Sequence, residues 1–170
     1  ASDVYKRQAY YGLYSPVFWL SYLLPFVKMG DYLIAASFVC LTASIILFYC
    51  WLKKRGFSPI ICFLTACLFL LAAPMIFQSY NQIMFVNYMP FLCMGLWGVD
   101  SFLEKGSSFL YILSVFFMIL TSFYFSVGGI LVLILYGMHR YFLLQDLSEE
   151  DLRLWRFFRD GIRFLYPILL

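Results

Sequence analysis

Charge is scarce in this sequence. Only 12% of its 170 residues are Asp, Glu, Lys or Arg, whereas typical soluble domains carry about 25%. Hydrophobic residues make up 64% of the chain, and a water-soluble fold of this size could not bury so much apolar surface. The composition therefore predicts an integral membrane protein. The basic residues lie in short clusters between apolar runs rather than on one polar surface, which argues against nucleic-acid binding.

Metal-binding and catalytic signatures are also missing. The five cysteines lie inside apolar runs, form no CxxC pair and are accompanied by a single histidine, so neither a disulfide framework nor a metal site is expected. That histidine, His139, stands beside Arg140 at the end of an apolar run, where we interpret it as an interfacial anchor. No Walker loop, GxSxG or HExxH sequence occurs.

Long uncharged runs predict an all-α fold, a polytopic transmembrane helical bundle of about five to six spans, since about 20 helical residues cross a bilayer core. Pro90 and two glycines interrupt the third run, so an interfacial or re-entrant helix remains the alternative there. We place a transmembrane domain at residues 31–144, with spans at 32–52, 57–77, 88–103, 108–125 and 126–144, and the start of a further span at 164–170.

The run from residue 107 to residue 138 contains no charge over 32 residues. One helix of that length would be about 48 Å long, which exceeds the hydrocarbon core. The segment Ser126-Val-Gly-Gly129 favours a turn between two spans. A hairpin there brings Lys53 to Arg55, Lys105 and Arg140 to the same side, which the positive-inside rule makes cytoplasmic.

The N-terminal residues differ from the rest of the chain. We expect residues 1–8 to be a non-native leader, because they do not resemble the rest of the chain. The chain has no initiator Met and ends in the apolar run Tyr166 to Leu170, so we expect it to be an internal fragment of a longer protein. Residues 9–30 are aromatic and are interrupted by Pro16 and Pro25. This pattern favours an interfacial or re-entrant segment at the outer face.

Residues 145–163 predict a cytoplasmic amphipathic helix. Ser148-Glu-Glu-Asp151 resembles a capping box. After it, basic residues follow at helical spacing along one face of the helix, and apolar residues cover much of the rest. An ordinary solvated connecting helix is the alternative interpretation. The arginines expected to lie on the anionic lipid surface are Arg153, Arg156, Arg159 and Arg163.

Hydrogen-bonding side chains concentrate on the expected outer side. Amides, phenols and hydroxyls suit a sugar or a lipid headgroup, although they equally suit an interfacial aromatic belt. The candidate substrate-binding residues are Tyr11, Ser15, Asn81, Gln82, Asn87 and Tyr124. Asp100 is the acid clearly inside a predicted span, but it lies one turn from Glu104 and Lys105. We therefore expect Asp100 to be solvated at the inner interface rather than to act in a proton relay.

Short motifs along the chain resemble, in order, those of the bacterial YfhO-like membrane proteins. The similarity extends from Tyr10 to roughly Tyr141, and Tyr136 fits it, whereas position 122 is Ser where that family more often has Asn. The motifs are Tyr10-Tyr-Gly-Leu-Tyr-Ser-Pro16, Asn87-Tyr-Met-Pro-Phe-Leu92, Gly98-Val-Asp100 with Glu104-Lys105, and Ser122-Phe-Tyr-Phe125.

The resemblance implies a GT-C type glycosyltransferase of the plasma membrane. Such enzymes take a sugar from a polyprenyl-phosphate donor at the outer face, and YfhO-like members are associated with glycosylating envelope polymers such as lipoteichoic acid. The implied partners are membrane lipids, the donor lipid and the polymer acceptor. The resemblance places the acidic residue, a general base or a metal ligand, in an outer loop upstream of Tyr10. No catalytic residue or cofactor is therefore expected in this chain, and a divalent metal would belong to the full-length protein.

Two other classes of function remain open. A transporter or flippase for a lipid or polymer would predict an internal inverted repeat and polar residues near mid-span, and the sequence shows no clear repeat. A non-catalytic membrane scaffold would predict no site at all. An acidic residue in the upstream outer loop would favour the enzyme over both.

Overall fold

Helices account for nearly all of the described chain. The computed structural model describes residues 15–23, 26–72, 75–77, 83–145 and 161–162, and within them the expected all-α class is confirmed. The helices are α1 (Pro16–Ser21), α2 (Met29–Lys54), α3 (Pro59–Leu71), α4 (Ile83–Lys105), α5 (Phe109–Thr121) and α6 (Phe123–Gln145).

Lysine followed by glycine ends both α2 and α4. Helix α2 finishes with Lys53 and Lys54, and α4 finishes with Lys105. Their ammonium groups are favourable at the negative end of a helix dipole. Gly56 and Gly106 follow with φ angles of 86° and 70°. Glycine adopts this left-handed conformation with little steric energy, and the conformation ends a helix.

Helix α3 is shorter than the predicted span at residues 57–77. Pro59 begins it in the first turn, where a proline loses no intrahelical hydrogen bond. The helix ends at Leu71, and Ala72 adopts an extended ψ of 131°. Its 13 residues correspond to about 20 Å, less than the bilayer core.

The chain breaks between α5 and α6 at Ser122, not at the predicted turn Ser126–Gly129. Ser122 is extended, with φ −161° and ψ 111°, while α6 continues without interruption through residues 126–129. Gly129 serves packing instead of a turn, because a Cβ atom there would collide with the Tyr88 hydroxyl and with Met118. Small residues at such positions let membrane helices approach closely.

Helices α4 and α5 run antiparallel in close contact. Phe91 of α4 stacks on Phe117 of α5 with ring centroids 5.3 Å apart, and Gly98 lies against Tyr111 nearer the start of α5. A Cβ atom at Gly98 would lie 2.7 Å from the backbone nitrogen of Tyr111. The two backbones therefore touch at a position where only glycine fits.

Helices α4 and α6 run in the same direction, and α2 runs with them. Phe85 contacts Phe125 near the beginnings of α4 and α6, and Asp100 contacts Tyr136 nearer their ends. Along α2, Trp51 contacts Asp100 and Lys54 contacts Glu104. The carboxyl ends of α2, α4 and α6 consequently share one end of the bundle.

Two of the described helices are long and apolar enough to cross a membrane, namely α2 (Met29–Lys54) and the part Phe123–Leu143 of α6. Helices α3 and α5 are apolar but contain only 13 residues each. Helix α4 has 23 residues, covers more than the predicted span at 88–103 and packs at the centre against α2, α5 and α6. The number of five to six spans remains a prediction.

Candidate functional site

The charged side chains at the carboxyl ends of three helices form one cluster. Each helix contributes two residues four positions apart, a spacing that puts both side chains on the same helix face. We call this set the charged cluster. Its members are Trp51 of α2 and Arg55, which caps the end of α2, Asp100 and Glu104 of α4, and Tyr136 and Arg140 of α6.

The Asp100 carboxylate is the centre of the charged cluster and is only 1% exposed. Its Oδ2 atom accepts a hydrogen bond from Trp51 Nε1 at 2.8 Å. Its Oδ1 atom accepts hydrogen bonds from the Tyr136 hydroxyl at 2.7 Å and from Arg140 Nε at 3.1 Å. Arg55 Nη1 lies 3.3 Å from the same oxygen and also contacts the Tyr136 hydroxyl.

The sequence predicted that Asp100 would be solvated at the inner interface. This prediction is wrong, because the side chain is buried. A carboxylate can accept about four hydrogen bonds, and four donors from three side-chain types on two neighbouring helices already surround Asp100. An ionised group can be buried when it is paired and hydrogen-bonded in this way. These four contacts connect Asp100 of α4 to both α2 and α6.

An outer layer of the charged cluster is more exposed. Glu104 Oε1 pairs with Arg140 Nη2 at 3.2 Å, and Glu104 Oε2 pairs with Lys54 Nζ at 3.5 Å. The Arg55 guanidinium lies 5.6 Å from the centre of the Trp51 ring and 5.5 Å from that of Tyr136, within the range of cation–π attraction. The arrangement joins α2, α4 and α6 at one end.

Asn87 lies near the opposite end of α4. It lies 13 positions before Asp100, which corresponds to about 20 Å along a helix. Asn87 is 1% exposed, and neither its Oδ1 nor its Nδ2 atom has a hydrogen-bond partner in the described part of the chain. Burial of an unpaired amide costs free energy, so this side chain is equipped to bind a polar group that the described residues do not supply.

The register of α4 and α5 shows what Asn87 faces. Phe91 lies opposite Phe117. Asn87 is one helical turn before Phe91, and because α5 runs in the opposite direction, Asn87 lies level with Thr121 and Ser122 at the end of α5. Both of these hydroxyl residues are buried. The Thr121 hydroxyl donates to the carbonyl of Phe117 at 2.7 Å. Asn87 thus lies beside the break between α5 and α6.

Two further buried hydroxyls lie at the starts of α1 and α6, respectively. Ser15 precedes α1, and its Oγ atom is buried without a partner in the residues described. Ser126 in the first turn of α6 donates to the carbonyl of Phe123 at 2.7 Å. Helix α1 is attached to the start of α2, because the Tyr32 hydroxyl donates to the carbonyl of Val17 at 2.7 Å.

The predicted substrate-binding residues separate into three groups. Ser15 and Asn87 are buried, and Asn87 lies inside α4 rather than in the outer loop where the sequence had placed it. Tyr124 is 77% exposed at the start of α6. The remaining predicted residues lie outside the described residues, namely Tyr11, Asn81 and Gln82, with the predicted lipid-surface residues Arg153, Arg156, Arg159 and Arg163.

The charged cluster was not predicted, although the sequence contains a signal for it. Trp51 and Arg55, Asp100 and Glu104, and Tyr136 and Arg140 each lie four residues apart near the end of a helix. What the sequence lacks is the information that these three helix ends are neighbours. Among the residues described, no group of three or more His, Cys, Asp or Glu side chains could hold a metal ion.

Comparison with known protein families gives one finding. The family model described as "Bacterial membrane protein YfhO" matches residues 2–162, nearly the whole chain. The match begins within the segment expected to be a leader. No curated protein and no solved structure matches the chain.

Proposed function

Because the chain belongs to the YfhO family of bacterial membrane proteins, we propose that it is the membrane part of a glycosyltransferase. The proposed enzyme moves a sugar from a polyprenyl-phosphate donor to a cell-envelope polymer, of the lipoteichoic acid kind, at the outer face. The observation that carries the proposal is Asn87, a buried amide with two unpaired atoms. It stands at the end of the bundle remote from the charged cluster.

The orientation of the proposed site follows from charge. Lys53, Lys54 and Arg55 end α2, Lys105 ends α4, and Arg140 lies near the end of α6. Basic residues at the ends of transmembrane helices remain cytoplasmic. In the proposed orientation in the plasma membrane, Asn87 and the beginnings of α4 and α6 therefore face the outer side, where the donor lipid and the acceptor polymer are used.

The contribution of this chain would be binding and orientation. The Asn87 amide can donate through Nδ2 and accept through Oδ1, which suits a sugar hydroxyl or a phosphate oxygen. Apolar helices around it exclude water, which strengthens such hydrogen bonds. The acid that activates the acceptor, and any divalent metal, would belong to the upstream part of the full-length protein.

The test is sugar transfer by the full-length protein in membranes, with a polyprenyl-phosphate sugar as donor. Asn87→Ala should reduce the transfer rate about ten-fold or more, the magnitude expected when a buried substrate partner loses its hydrogen bond. Ser114→Ala is the matched control, because Ser114 is equally buried but its hydroxyl bonds to the carbonyl of Tyr111 within α5.

Three results would each lead to a different conclusion. Transfer that falls only in Asn87→Ala supports the proposal, and transfer unchanged in Asn87→Ala contradicts the assignment of the site. If the donor lipid crosses the bilayer with its sugar still attached, the transporter function that the sequence left open is the better account.

A further inference from the structure

The first turn of α6 presents backbone donors without acceptors. Ser122 interrupts the helical ladder, and the next backbone N–H that finds a carbonyl across the break is that of Ser126, which donates to Ser122 at 3.0 Å. The N–H groups of Phe123, Tyr124 and Phe125 have no backbone acceptor in the described part of the chain. Unpaired N–H groups of this kind, with the positive end of the helix dipole, attract anions.

Asn87 is the second, independent feature at this place. Its Nδ2 atom is buried and unpaired, and the register of α4 against α5 puts it level with Ser122, the residue that precedes α6. The aromatic rings of Phe85 and Tyr88, which flank Asn87 in α4, contact Phe125 in the first turn of α6. Asn87 itself shares the face of α4 that carries Phe91, which stacks on Phe117 of α5. The amide and the N–H groups that follow Ser122 therefore lie at the same level of the bundle, beside the break between α5 and α6.

Charge at this end of the bundle also permits an anion. Helices α2, α4 and α6 all begin here, so their dipoles direct partial positive charge to the same end. The charged side chains described nearby are Lys28 and Asp31 at the start of α2, and both are exposed. No buried carboxylate has been found at this end among the described residues to oppose a bound anion.

From these observations we infer that Asn87 and the first turn of α6 form a binding site for a phosphate group. The N–H groups of residues 123–125 and Asn87 Nδ2 would donate to phosphate oxygens. Asn87 Oδ1 would accept from a hydroxyl, either of the phosphate or of a group attached to it. The inference rests on the proposed function and specifies which part of the donor this site holds, the phosphate of a membrane lipid.

The experiment measures binding to the purified full-length protein in nanodiscs of zwitterionic phosphatidylcholine. The probes are a long-chain polyprenyl monophosphate in the bilayer, inorganic phosphate in the buffer, and the uncharged polyprenol. We expect saturable binding of the polyprenyl monophosphate and none of the polyprenol. Inorganic phosphate that competes at similar concentration would identify a site for free phosphate instead of a lipid headgroup, and would overturn the lipid assignment.

Two variants of Asn87 keep the test decisive. Asn87→Asp adds a negative charge of the same shape and should weaken polyprenyl monophosphate binding about ten-fold or more, because a charge-assisted hydrogen bond becomes a repulsion. Asn87→Leu removes the unpaired amide, so it should fold at least as well as the native protein and still bind more weakly. Ser114→Ala serves again as the buried control and should bind as the native protein does.

The inference is overturned if the native protein binds no phosphate probe, or if both Asn87 variants bind as tightly as the native protein. The experiments also distinguish failure of the phosphate-site inference from failure of the proposed glycosyltransferase function. Asn87-dependent phosphate binding without any sugar transfer would retain the site and reject the glycosyltransferase. If the protein transfers sugar but the Asn87 variants bind phosphate as the native protein does, the glycosyltransferase function is supported and the phosphate site at Asn87 is rejected.

Discussion

The hydroxyl of Tyr136 in α6 donates a 2.7 Å hydrogen bond to the Asp100 carboxylate of α4. Both groups lie beside Arg55 of α2, so one contact point involves three helices that are distant in the sequence. Since the three helices run in the same direction, none of them is joined to another by a tight turn. The charged cluster therefore aligns helices that short loops do not align.

Replacement of Asp100 should be strongly destabilising. Asp100→Asn would leave Arg55 and Arg140 without their shared carboxylate, and loss of one partner in a buried ion pair typically costs about 3–5 kcal/mol. Reversible unfolding of the protein in mixed micelles measures this. Glu104→Gln is the control, because its carboxylate is 37% exposed and exposed pairs contribute about 0–1 kcal/mol. Equal losses for the two variants would contradict the importance of burial.

The Tyr136 hydroxyl can be tested apart from its ring. Tyr136→Phe retains the edge contact with Trp51, whose ring centroid is 5.5 Å away, and removes the hydrogen bond to Asp100. The expected loss is about 1–3 kcal/mol, the cost of leaving a buried charged acceptor with one partner fewer. Tyr124→Phe in the same helix alters a side chain that is 77% exposed. It should change the free energy of unfolding by a few tenths of a kcal/mol at most.

Two glycines offer a matched test of helix packing. A Cβ atom at Gly98 would lie 2.7 Å from the Tyr111 backbone, so Gly98→Ala must push α5 away from α4 and should cost about 1–3 kcal/mol. A Cβ atom at Gly128 would meet nothing within 4 Å. Gly128→Ala should be neutral or should stabilise α6 by about 0.5–1 kcal/mol. Similar effects of the two substitutions would show that α4 and α5 do not pack as described.

The membrane orientation can be measured by cysteine labelling in a variant without the five native cysteines. Tyr124 is exposed at the start of α6, and Lys105 is exposed at the end of α4. An impermeant maleimide should label Tyr124→Cys in intact cells and Lys105→Cys only after permeabilisation, because basic helix ends remain cytoplasmic. The reverse pattern would invert the proposed topology and place Asn87 on the cytoplasmic side.

The arginines of the predicted amphipathic helix lead to a prediction about lipids. A peptide of residues 145–163 should bind vesicles that contain phosphatidylglycerol more tightly than phosphatidylcholine vesicles at low salt, by about 1 kcal/mol per arginine near the surface. Addition of salt should reduce the difference. Equal binding to both vesicles would favour the solvated connecting helix.

Much of the helical framework could be predicted from the sequence. Low charge and long apolar runs predict membrane helices, and the lysine and glycine pairs at Lys54–Gly56 and Lys105–Gly106 mark where α2 and α4 end. Proline at position 59 marks the start of α3. These signals are local, since each depends on the backbone preference or charge of a few neighbouring residues.

The break between α5 and α6 was predicted four residues too late because glycine has two roles. Glycines 128 and 129 were interpreted as a turn, whereas α6 continues through them and Gly129 accommodates Tyr88 and Met118. Ser122, the residue that does interrupt the helix, has no strong local preference for extended backbone. Contacts across the bundle decided between the two positions.

The sequence by itself determined that this chain is helical, membrane-embedded and basic at one end, because these properties follow from composition and from short-range spacing. Only the tertiary structure decided the state of Asp100 and Asn87. Asp100 is buried with four donors and Asn87 is buried with none among the described residues. The free energy of a buried polar group depends on which distant residues surround it, and that information exists only once the helices have packed.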